Sequence, residues 1–143
     1  MSAPKKRPEQ TYVEQNGPVF MSGNQAYLRL TFEQHRRDQE AGLNTAGFIS
    51  GYRGSPFGHF DQDAKRVGKA LGERNIKFNP GVNEAMAATA VWGSQQIDFF
   101  GSSQFDGVFG LWYGKGPGVD QAADALHHGN LWGTHPKGGV VMA

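Results

Sequence analysis

The chain has 143 residues, enough for one domain with a core of its own, so neither a disulfide nor a metal staple is required. It contains no cysteine, which excludes disulfides, thiolate metal sites and cysteine-ligated iron–sulfur clusters within these residues. The formal net charge of +1 gives no reason to expect a nucleic-acid partner, and no apolar run approaches the roughly 18–20 residues of a membrane span.

Residues 1–17 are polar and aperiodic, which predicts a flexible N-terminal arm. Their Lys5-Lys6-Arg7 run lacks the apolar region of a secretory signal, so a cytoplasmic protein is expected. Ser22 and Gln25 have the spacing of a capping box and open a helix. Leu28 and Phe32 share one face of it, Arg36, Arg37 and Asp38 form its wet end, and Gly42 is its stop. Thr45–Gly51 reads as a short buried strand that ends in the turn Tyr52-Arg53-Gly54-Ser55-Pro56. Asp61 is expected to cap a helix with Ala64, Val67 and Leu71 inward; Ile76–Phe78 is a second strand. A helix runs from Glu84 to about Gln96, and Gly107–Trp112 is a third strand. A glycine loop, Gly114–Gly118, leads to a short helix from Asp120 to His128. Gly139–Ala143 begins a fourth strand, at which the fold looks incomplete.

Alternating strands and helices argue for an α/β fold, a doubly wound and mostly parallel sheet with helices on both faces. Strand-to-helix turns of such sheets share one edge, where ligands bind. The turns at 52–56, 80–84 and 113–118 are therefore expected to converge.

Glu84 stands out among them. It heads Ala85-Met86-Ala87-Ala88-Thr89-Ala90-Val91-Trp92-Gly93, a segment almost wholly apolar or small, so folding draws its carboxylate inward. An ionised carboxylate taken out of water is costly unless something pairs with it, and groups so placed concentrate where chemistry happens. The bland alternative is a first-turn carboxylate favoured by the helix dipole.

Other motifs point elsewhere. Gly110-Leu111-Trp112-Tyr113-Gly114-Lys115-Gly116 has one residue too few for a Walker loop, and glycine replaces the metal-binding hydroxyl. Adjacent His127 and His128 diverge on a helix, which leaves them and His135 as surface groups, and no metal site is expected. His59 either lines the pocket or caps the next helix. Trp92, Trp112, Tyr113 and Trp132 read as core and interface aromatics.

Several runs in series carry a resemblance: Gly51 to Pro56; Pro80-Gly81-Val82-Asn83-Glu84; Ala87 to Gln96; Trp112-Tyr113-Gly114-Lys115-Gly116-Pro117-Gly118-Val119-Asp120; and Lys137-Gly138-Gly139-Val140. In this order, over residues 18–143, the chain resembles the N-terminal pyrimidine-binding domain of the indolepyruvate ferredoxin oxidoreductase family. That likeness implies a thiamine diphosphate-dependent enzyme that oxidatively decarboxylates aryl 2-oxoacids, passes electrons through iron–sulfur clusters to ferredoxin and forms an acyl-coenzyme A. It implies that Glu84 contacts the cofactor's aminopyrimidine ring, with Gly54, Ser55, Pro56 and Asn83 around the cofactor. Arg53, Ser55, His59 and Lys115 would face the substrate, Arg53 or Lys115 meeting its carboxylate. The magnesium- and diphosphate-binding domain and the cluster cysteines of relatives have no counterpart in these residues. The resemblance thus implies a chain that is inactive alone, completes its site with a diphosphate-binding domain, and forms a homo-oligomer, as relatives dimerise through this domain. The competing reading is a non-catalytic interaction module that has kept the fold.

Overall fold

The computed structural model describes residues 8–54, 57 and 59–143. Its elements in chain order are α1 (Gln10–Val13), α2 (Gly23–Glu40), β1 (Thr45–Gly51), α3 (Phe60–Arg66), α4 (Gly68–Gly72), β2 (Ile76–Phe78), α5 (Glu84–Ser94), β3 (Gly107–Tyr113), α6 (Gly116–Trp132) and β4 (Gly139–Met142). A 3-10 turn at Ile97–Phe100 follows α5. The four strands form one parallel sheet in the order β2-β1-β3-β4. From β1 the chain steps to β2 on one side, then returns past β1 to β3 on the other, so its direction across the sheet reverses between β1 and β3.

Period-two alternation along the central strands divides the core in two. Ile49, Phe109, Leu111 and Tyr113 join Leu28 and Phe32 of α2 and Phe60, Ala64 and Leu71 of α3 and α4. On the other face Trp112, with Phe48 and Val140 beside it, packs against Ala87, Ala88 and Val91 of α5 and Ala122 and Ala125 of α6. Alanines at the α5–α6 seam let the two helices lie close, because each side chain adds only one carbon to the separation. Gly47 and Gly110 serve the same purpose inside the sheet. A Cβ at 47 would sit 2.5 Å from Phe109 Cε2, and one at 110 would sit 3.0 Å from Val91 Cγ1.

Local signals explain most boundaries. The Ser22–Gln25 capping box forms as expected. At the far end of α2, Gly42 at φ +76° accepts the left-handed turn, and Leu43 N and Gly42 N donate to Asp38 O and Gln39 O. Asp38, expected in water, is buried and accepts from Thr45 Oγ1 and Gln34 Nε2, which ties the end of α2 to β1. His59, at φ 68°, takes the N-cap position of α3 without a side-chain cap bond, whereas Asp61 lies in the first turn. The helix expected there is in two pieces, α3 and α4, joined at Val67.

Two further expectations are corrected. The segment 114–118 is not all loop, since Gly116, Pro117 and Gly118 are the first turn of α6. Proline is at home there, where its missing N–H has no helical acceptor to lose and its φ already suits a helix. Part of the expected N-terminal arm is docked. Tyr12 in α1 is buried and stacks on Phe32, and Arg29 donates to the carbonyls of Thr11 and Glu14. Polarity counts alone hid this, because one ring and two backbone acceptors suffice to anchor the segment.

Candidate functional site

Every strand is parallel, so the carboxyl ends Gly51, Phe78, Tyr113 and Met142 lie on one edge of the sheet. The turns after β1 and β2 are bound together there: Tyr52 and Gly81 form a parallel bridge, Gly81 N donates to Gly51 O at 3.0 Å, and Ser50 Oγ donates to Asn79 O at 2.7 Å.

Glu84 is the first residue of α5 and is 9% exposed. Its backbone carbonyl accepts from Trp112 Nε1 at 3.3 Å, which ties the mouth of α5 to the end of β3. Its side chain lies against Gly118 in the first turn of α6: a Cβ at 118 would come within 2.5 Å of Glu84 Cγ and 2.9 Å of Oε1. The carboxylate therefore sits between the N-terminal turns of two helices, where both macrodipoles favour negative charge. Exposed apolar side chains belong to the same two segments: Val82 (72%), Met86 (57%) and Val119 (44%).

The remaining expected residues divide. Asn83 is the N-cap of α5, its Oδ1 accepting from Met86 N at 2.8 Å, so its amide is engaged in holding Glu84's helix. Gly54 is exposed and lies under the Tyr52 ring, 2.5 Å from Cζ for a Cβ placed there. Arg53 lines an open cleft with Tyr52, Gly54, Asp61, Pro80, Gly81 and Val82, and its Nε lies 3.9 Å from Asp61 Oδ2. Lys115 is exposed at the N-cap of α6, and His59 is exposed at that of α3. Ser55 and Pro56, expected to face cofactor and substrate, lie outside the described residues. Thus the turns 52–54 and 80–84 converge directly, and 116–118 joins them through Glu84.

Three neighbours of the site were given no role of their own from sequence, although Tyr113 and Gly118 fall within the turn 113–118 expected there. Gly118 shows only as one glycine of a run; Asp61 reads as a cap. Tyr113 reads as a core aromatic, and burial alone would agree, as it is 1% exposed. Its hydroxyl is buried with no hydrogen-bond partner among the described residues. Burial raises the pKa of this phenol far above its ordinary value, the charge of Asp61 adds to the effect, and Arg53 opposes it.

The group implied by the resemblance can be tested against this geometry. An aminopyrimidine ring needs a carboxyl group shielded from water yet facing the edge of the sheet, with a small-residue wall that leaves room beside it. Glu84 supplies the shielded carboxyl group and Gly118 the small residue, although the gap at Gly118 is taken up by the methylenes of Glu84 itself. Among the described residues no group of three or more His, Cys, Asp or Glu side chains could hold a metal ion, and no helix is long and apolar enough to cross a membrane. No protein-family model, curated protein or solved structure matches the chain.

Proposed function

We propose that this chain is the pyrimidine-binding portion of a thiamine diphosphate-dependent 2-oxoacid:ferredoxin oxidoreductase acting on aryl 2-oxoacids, with a doubly wound α/β fold. The observation that carries the reading is Glu84, 9% exposed at the carboxyl edge of the sheet and seated against Gly118. When bound, thiamine diphosphate supplies the electron sink that a 2-oxoacid needs to lose carbon dioxide.

What the chain contributes is placement and a proton. Asn83 fixes the first turn of α5, and Trp112 Nε1 holds the Glu84 carbonyl, so the backbone that carries the carboxyl group is anchored at the mouth of the helix. Low local dielectric strengthens any hydrogen bond it makes to a ring nitrogen. A glutamate so held can keep a proton on that nitrogen or take it back, the acid–base role that glutamine cannot fill. The diphosphate- and magnesium-binding domain, the iron–sulfur clusters and the coenzyme A site belong to other parts of the proposed enzyme, whose assembly is a cytoplasmic homo-oligomer.

The test is aryl-pyruvate-dependent dye reduction by the complete enzyme. Glu84→Gln is expected to cut turnover by at least about 100-fold, the scale of a lost general acid–base group. Activity above roughly a tenth of wild type, a loss of under ~1.4 kcal/mol of transition-state stabilisation, would remove Glu84 from the chemistry.

A further inference from the structure

Behind the turns that hold Glu84, the C-terminal halves of α5 and α6 part over the sheet and leave a cavity of about 160 Å³. Val91 and Trp92 of α5, Leu126 and Gly129 of α6 and Val140 of β4 wall it, with the Trp112 ring of β3 beneath. No ionisable side chain lines it among the described residues. Its polar members are few. Gln95 is already bonded at both ends of its amide, Nε2 donating to Val108 O and Oε1 accepting from Gly139 N, whereas Asn130 and Thr134 are exposed.

Protein interiors are close-packed, and voids of this size are few. Gly129 helps to keep this one open. A Cβ there would find its nearest neighbours, atoms of Trp92, at 3.8 Å, an ordinary contact, so packing does not demand a glycine. Inside a helix glycine is less favourable than alanine. The helix therefore gives up stability to leave space beside Trp92. An apolar cavity of this size stays dry and takes a guest about as large as one benzene ring. The two indole walls favour an aromatic body, because rings meet well edge to face or offset. A charge would lose its hydration here and gain no partner. We propose that the cavity binds a small uncharged aromatic molecule, one ring with a single hydroxyl or carbonyl group turned toward Asn130 and Thr134.

Occupancy reaches Glu84 through Trp112. The indole beneath the cavity donates from Nε1 to the Glu84 carbonyl at 3.3 Å. A guest packed on that ring acts on the hydrogen bond that anchors the mouth of α5. The cavity is separate from the proposed place of the cofactor, and its role does not rest on thiamine diphosphate binding.

Benzyl alcohol is the probe and benzoate the charged control, added to the chain with its tryptophans isotope-labelled at Nε1. The Trp92 and Trp112 resonances are expected to move saturably with the alcohol, Trp132 to stay in place, and benzoate to move none of them. Gly129→Ala should weaken binding of the alcohol about fourfold, the scale of one buried carbon, while raising the thermal midpoint through helix propensity. Gly129→Leu, which fills more of the space, should abolish binding. Equal affinity in Gly129→Ala, Trp92 and Trp112 signals unmoved at the solubility limit of the alcohol, or benzoate bound as tightly would overturn the site. A Trp92 signal that moves while Trp112 stays fixed would overturn the link to Glu84. Failure of thiamine diphosphate to bind, with these shifts intact, would sink the cofactor reading and leave the cavity site standing.

Discussion

Glu84 owes its shielding to the residue opposite it. Gly118 has no side chain, and that gap is what the Glu84 methylenes occupy. Gly118→Ala would drive a methyl to 2.5 Å from Cγ, which forces the carboxylate or the first turn of α6 to move. The expected result is a destabilisation of about 1–3 kcal/mol, read as a lower urea midpoint, together with weaker aminopyrimidine binding; an unchanged midpoint would mean that the two turns are not in contact. Another buried titratable group acts on stability without touching the site. His35 on α2 is 8% exposed, its Nδ1 has no partner among the described residues, and its pKa is lowered by burial first and by the Arg74 charge second, with Asp38 partly opposing. A base whose folded pKa is depressed resists a proton that the unfolded chain accepts. Its contribution is therefore complete above the ordinary histidine value of about 6.5 and is lost as the pH falls through the lower, folded value. The thermal midpoint should drop between neutral and mildly acid pH, and His35→Gln should flatten that drop; an equal slope in both proteins would assign the acid sensitivity elsewhere.

The secondary-structure elements were legible wherever the signal was local. The Ser22–Gln25 box, Gly42 and the apolar stretch Thr45–Gly51 each specify their own conformation within a few residues, and all three are found as read. Where neighbours decide, the reading missed. Gly116-Pro117-Gly118 has loop composition, yet it forms a helical turn, with Gly118 packed against the side chain of Glu84. Tyr12 could not be seen to dock, since its partner Phe32 lies on another element and only the fold brings the rings together. Asn83 belongs at this level too. Its contact is a helix cap, and a cap can be exchanged: Asn83→Ser keeps an oxygen for Met86 N, whereas Asn83→Ala does not. Asn83→Ala should cost about 1 kcal/mol and Asn83→Ser only a fraction of that, measured by chemical denaturation. Equal losses in both variants would show that the amide does something other than cap.

For the molecule as a whole, the reversal between β1 and β3 brings the carboxyl ends of both strands and the N-terminal turns of α5 and α6 to one region. That Glu84 would be drawn inward could be read from a single helix. What covers it could not, because Gly118 and Trp112 come from later in the chain and depend on the alanine seam between α5 and α6. The same holds for the cleft, which needs Arg53, Asp61 and Gly81 from three turns. A direct binding experiment on the chain, with its glutamates isotope-labelled at the carboxyl carbon, goes to the heart of the proposal. On titration with thiamine diphosphate at millimolar concentration, the resonance missing from Glu84→Gln should shift, and Glu84→Gln should lose the binding while keeping the wild-type thermal midpoint. A Glu84 signal that stays in place, or a Glu84→Gln protein that binds thiamine diphosphate as the wild type does, would contradict a cofactor-facing acid at this position.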